Sequence, residues 1–104
     1  MDKDKILNSG LSLAMEFGKN WLQPIQSRLA LHFPYLSSSE LDEYNFICKS
    51  AMDFSNKLVQ SMVEIKGNKL SQKEWEEKVL LSYPWINEEN LERLFSQGMY
   101  YAWK

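Results

Sequence analysis

The sequence predicts an all-α protein, a compact bundle of four to five helices, on three observations. Apolar residues recur at intervals of three and four along nearly the whole chain, the spacing that lines one side of a helix turning 100° per residue. The alternation of apolar, β-branched residues with polar ones that marks a half-buried strand is absent. Pro, Gly and Asn gather at a few points between the periodic segments, where helices stop.

A chain of 104 residues with 44% hydrophobic side chains can bury a core without a disulfide or metal, so residues 1–104 are expected to form a single helical domain. The four Trp, five Tyr and five Phe exclude a disordered composition and place aromatics in that core. Twelve basic and fourteen acidic residues are mixed along the chain, so no basic block invites a polyanion. Cys48 and His32 stand alone, too few for an internal disulfide or a zinc site, and a lone thiol suits a reducing compartment; the expected location is cytoplasmic. The opening MDKDKILNSG lacks a basic head before an apolar run, and no stretch approaches eighteen apolar residues, so neither a secretory leader nor a membrane span is expected.

Leu7, Leu11, Ala14, Gly18, Trp21, Ile25 and Leu29 form one stripe. Pro24 interrupts it, because a ring inside a helix removes a backbone hydrogen bond and crowds the preceding turn. The expectation is a helix at about 3–21, a break near Trp21 to Gln23, and a second helix at about 24–33. From Ser38 to Lys66, apolar residues from Leu41 to Ile65, with Tyr44, Cys48, Val59 and Met62 among them, cover about half the circumference. Such a helix needs neighbours on more than one side. Gly67 and Asn68 tolerate the left-handed conformation that ends helices. Two more helices follow, at about 72–83 with Trp75, Val79, Leu80 and Tyr83 inward, and at about 88–103 with Leu91, Leu94, Phe95, Gly98 and Ala102 inward.

HFPYLSSSEL (32–41) has an echo in SYPWINEENL (82–91). In both, Pro stops a helix, an aromatic and an aliphatic residue follow, and Ser37 or Asn87 sits where its oxygen can cap the next helix. Ser37 with Glu40 makes a capping box, Asn87 with Asn90 approximates one, and Leu36 with Leu41 and Ile86 with Leu91 occupy staple positions. Ser71 with Glu74 repeats the pattern without the proline. Three identities in 27 aligned positions leave two readings open: shared helix-start chemistry, or two αα-hairpins of about 24–66 and 72–103 related by weak internal repetition. The same shift of fifty sets Cys48 on Gly98, as expected where a small side chain lets two helices cross closely.

No catalytic, cofactor-binding or metal-binding residues are assigned. His32 is expected at a helix end, where it suits the C-terminal carbonyls. Cys48 lies on the apolar arc, where burial raises rather than lowers a thiol pKa. Glu74 and Glu77 read as a solvated surface, and the Lys66 to Lys69 turn lacks phosphate-loop spacing. A helix-turn-helix reading is disfavoured by Glu40, Asp42 and Glu43, or Glu88, Glu89 and Glu92, where phosphates would crowd in.

The remaining clue is aromatic. With the inward arc of the last helix centred near Leu91, Gly98 and Ala102, Tyr100 falls about 180° away and Trp103 about 120° away, beside Arg93, Ser96 and Gln97. Phe46 is likewise displaced from the apolar arc. The expected function is a non-catalytic interaction module or self-associating protein, binding a protein partner or a second copy through Tyr100, Trp103, Phe46, Arg93 and Gln97. The alternatives are a small nucleic-acid-binding regulator and a carrier of a small apolar ligand lined by Met15, Met52, Met62 and tryptophans; neither nucleic acid nor a small ligand is the favoured partner.

Overall fold

The computed structural model describes residues 3–15 and 24–102. Their fold is all-α, with five helices: α1 (Lys3–Ala14), α2 (Gln26–His32), α3 (Ser38–Lys66), α4 (Gln72–Ser82) and α5 (Glu88–Ala102). Gly18, Trp103 and the expected break at Trp21 to Gln23 lie outside the described residues. The chain divides into two compact units, Met1–Met52 and Asp53–Lys104, and the division falls inside α3. The first half of α3 thus closes one unit and the second half opens the other.

In the first unit, Ile6, Leu7, Leu11 and Ala14 of α1, Ile25 and Leu29 at α2, and Tyr44, Cys48 and Ala51 of α3 are buried. Polar contacts tie the helices at their edges. The Cys48 thiol donates to the Leu7 carbonyl at 3.3 Å, and the Ile25 N–H, which has no side-chain cap of its own, donates to Asn45 Oδ1 at 3.1 Å. The guanidinium of Arg28 donates to the Leu13 carbonyl at 2.9 Å. A Cβ on Gly10 would lie 2.9 Å from Cys48 Sγ, so the missing side chain is what lets α1 and α3 approach.

The second unit is built around Trp75, fully buried on α4. Its indole N–H donates to the Ser55 carbonyl at 3.2 Å and its ring meets that of Phe95 at 5.2 Å, so one side chain ties α4 to α3 and α5. Phe54 and Tyr83 pack at 5.5 Å. Val59 and Met62 of α3 and Leu91 and Leu94 of α5 complete the interior. Gly98 is the close-approach position here: a Cβ on it would lie 2.8 Å from Val59 Cγ2 and 3.0 Å from its Cβ.

Both units contain the same elbow between helices. Phe33 and Tyr83 end α2 and α4 with nearly equal dihedrals, φ −133, ψ 71 and φ −132, ψ 68. The bonds Phe33 N–H to Leu29 O, Leu36 N–H to Phe33 O and Leu41 N–H to Ser37 O recur as Tyr83 to Val79, Ile86 to Tyr83 and Leu91 to Asn87, all between 2.8 and 3.2 Å. Ser37 and Glu40 complete the capping box in both directions, at 2.9 and 3.2 Å. Asn87 Oδ1 accepts the Asn90 N–H at 2.9 Å.

Three expectations change. The Ser71 box is only half made: Ser71 Oγ accepts the Glu74 N–H at 3.4 Å, but the Glu74 carboxylate accepts from the Lys66 ammonium instead, because a charged donor holds a carboxylate more firmly than a neutral amide. Ile65, assigned to the apolar arc, is exposed, since Met62 is the last buried residue of α3 and the final turn projects past the core. Gln97, assigned to an outward face, is 6% exposed. Burial of Leu94, Asn90 and Gln97 moves the centre of the inward arc about 60° from Gly98 and Ala102 toward Leu94. Gly67 ends α3 at φ 55, in the left-handed region its sequence position suggests.

The Gly98 contact yields a test. A helical Gly to Ala change ordinarily gains about 1 kcal/mol, but valine in a helix has one strongly preferred rotamer and cannot swing aside, and overpacking costs about 1–3 kcal/mol. Gly98→Ala is therefore expected to lower the thermal midpoint, and Val59→Ala in the same chain to recover most of that loss. Additive effects of the two substitutions would contradict the contact.

Candidate interaction surfaces

Apart from Ile65 near the end of α3, the exposed large apolar side chains among the described residues fall into two groups. The first consists of rings on outer helix faces. Phe46 is 70% exposed on α3, about 200° from both Tyr44 and Cys48, which face the first unit's interior. Tyr100 is 57% exposed on α5, about 120° from Leu94. Arg93, half-buried, lies on nearly the same side of α5 as Tyr100, two turns earlier. Gln97, turned inward, is not part of that face, and Trp103 lies outside the described residues. Phe46 and Tyr100 belong to different units.

The second group was not anticipated. Leu31 and Leu81 are 82% and 86% exposed, each two residues beyond a fully buried Leu29 or Val79, in the last turn before an elbow. Each is followed by an edge-to-face aromatic pair: Phe33 with Tyr35, centroids 6.2 Å apart at 82°, and Tyr83 with Trp85, 6.4 Å apart at 84°. The signal was present in the echo itself, where Leu31 and Leu81 form one of its three identities. Helix-start chemistry explains Pro34 with Pro84 and Leu41 with Leu91, but not this exposed leucine.

Carboxylates lie in the helix that follows each elbow: Glu40, Asp42 and Glu43 after the first, and Glu88, Glu89 and Glu92, with Arg93 next to them, after the second. In the first, the Tyr44 phenol is pushed above its ordinary value by burial and then by the charges of Glu40 and Glu43, with Tyr35 contributing further, which places these groups in one local field. Glu74 stands apart: the hydrogen bond from Lys66 holds it below the usual carboxylate range, aided by the charges of Lys66 and Lys78.

Reactive groups are few. His32 is exposed at the end of α2. Cys48 is buried, and desolvation pushes its thiol up to about 12, the opposite of nucleophile activation. Among the described residues no group of three or more His, Cys, Asp or Glu could hold a metal ion, and no helix is long and apolar enough to cross a membrane. Met15, Met52 and Met62 are buried, as core residues are.

Comparison of the chain with known protein families, with characterised proteins and with solved structures finds no match to any of them.

The buried thiol gives a pH dependence. In the unfolded chain Cys48 ionises near its ordinary 9.0, whereas in the folded chain it stays protonated to about 12. Its raised folded value contributes stability that is fully present below pH 9 and is lost as pH climbs from 9 toward 12, at up to about 1.4 kcal/mol per pH unit. Denaturant unfolding of the native chain and of Cys48→Ala across that window should show a shallower alkaline decline in the variant. Parallel profiles would mean that the sulfur is hydrated.

Proposed function

We propose that this chain is a non-catalytic interaction module that associates with a second copy of itself or with another protein through exposed aromatic rings. The observation that carries the reading is the exposure of Phe46 and Tyr100, large side chains that each unit places on a helix face away from its interior. The exposed part of an aromatic ring gains by burial against another surface, and aromatic residues beside arginine are typical anchors of such contacts. The surroundings of Phe46 carry both charge signs, with Asp42 about one turn before it and Lys49 about one turn after it. A patch of mixed sign can complement itself across a two-fold axis, which favours a homodimer.

Nucleic acid fits less well, because the first turns of α3 and α5 present carboxylates where a recognition helix meets phosphates. A carrier role fits less well because the methionines that would line a cavity are packed into the interiors. The unpaired, buried thiol suits a cytoplasmic protein.

Light scattering over a concentration series is expected to approach twice the chain mass. Tyr100→Ala and Phe46→Ala should each weaken association by about 2 kcal/mol, close to thirtyfold, with the thermal midpoint of the dilute monomer nearly unchanged. A constant monomer mass with large midpoint losses in the variants would return both rings to a folding role.

A further inference from the structure

We propose that two copies of this chain pair through the first half of α3 in antiparallel orientation, with Phe46 against Phe46 at a two-fold axis and Asp42 of each copy against Lys49 of the other. This pairing rests on the reading of Phe46 as an association anchor, and it names the partner and the register.

The helix surface around Phe46 supplies the geometry. Phe46 is 70% exposed, whereas Tyr44 and Cys48, on the opposite side of α3, are buried. Asp42 lies about 6 Å before Phe46 along the helix axis and Lys49 about 4.5 Å after it. Both are turned in the same direction from Phe46, by about 40° and 60°, so the two opposite charges bracket the ring on one flank. A two-fold axis that passes by Phe46 and reverses the helix direction sets each flank against the same flank of the other copy. A residue one turn before the ring then meets a residue one turn after it, and the contact is made reciprocally. Asp42 meets Lys49 at both ends of the ring pair. On the other flank Glu43 meets Ser50, a carboxylate against a hydroxyl that can donate to it.

Parallel pairing about the same ring brings Asp42 beside Asp42 and Lys49 beside Lys49, and like charges at one level repel. The order of charges along α3 thus selects the antiparallel arrangement, and a second copy supplies both complements at the required spacing. Asp42 is exposed and accepts from Gln26 Nε2 at 3.2 Å; Lys49 is half-buried. A carboxylate has two oxygens and an ammonium three donors, so each can keep contacts within its own chain and still reach across.

The test measures the dimer dissociation constant of the full chain by sedimentation equilibrium. Asp42→Lys and Lys49→Asp each set like charges together at both ends of the ring pair, and each is expected to weaken association by about tenfold or more. The chain carrying both substitutions keeps the native net charge and should recover most of the native affinity. An equimolar mixture of the two single variants should form mixed dimers, because one chain then carries two cations and the other two carboxylates. Glu43→Lys changes the net charge as Asp42→Lys does but faces Ser50, and should leave association nearly unchanged. Thermal midpoints of the dilute monomers check that each variant folds. Association that ignores both single variants, that the double exchange does not restore, or that Glu43→Lys weakens as much as Asp42→Lys would overturn this register. If Phe46→Ala still weakened such association, aromatic self-association would stand without it. A native chain that stays monomeric at every concentration would overturn both.

Discussion

Everything in this structure depends on how the backbone is satisfied where one helix must stop and the next must start five residues later. A helix leaves its last carbonyls and its first amides without partners, and in a unit of about fifty residues neither set can be left buried and bare. The elbows at 33–37 and 83–87 solve this with one arrangement. The residue before proline closes the outgoing helix, proline supplies a position that has no amide to satisfy, and a side-chain oxygen of Ser37 or Asn87 receives an amide of the incoming helix. The direction of the second helix follows from that bonding, and with it which side chains of each hairpin can meet. Leu36 and Ile86, just inside the elbows, are buried as a result.

Each unit then adds a third helix by removing bulk at one crossing. In the first unit the pair is Gly10 against Cys48; in the second it is Val59 against Gly98. The small member sits on opposite partners in the two cases, so neither crossing can be made looser without a cavity or tighter without strain. Interdigitation of this kind selects a helix pair more sharply than hydrophobicity does, because leucine would satisfy the polarity of all four positions and the geometry of none.

Features encoded within four residues were the legible ones. Helix class, the capping box at Ser37 and Glu40, the stop at Gly67 and the burial of Cys48 all follow from local periodicity or local hydrogen bonding. The Glu74 side chain was misjudged because its partner, Lys66, lies eight residues back across a turn, where a capping pattern has nothing to say. Gln97 was misjudged because the arc of α5 was centred on Gly98 and Ala102, small residues that carry little hydrophobic weight, whereas packing centres it nearer Leu94. Of the aromatic surface, the positions of Phe46 and Tyr100 were readable as angular misfits, while the exposed leucines were hidden by their own chemistry: a leucine two residues beyond a buried one in a short helix looks like core until the opposing face is seen to be empty.

The depth at which Cys48 is held has a practical meaning for any preparation of this molecule. Its sulfur is enclosed between α1 and α3, donating to the Leu7 carbonyl, and a disulfide to another chain requires that enclosure to open. Sulfur-linked pairs that accumulate in an aerated sample are thus a chemical record of chains whose first unit has come apart, and their rate of appearance measures how often that happens.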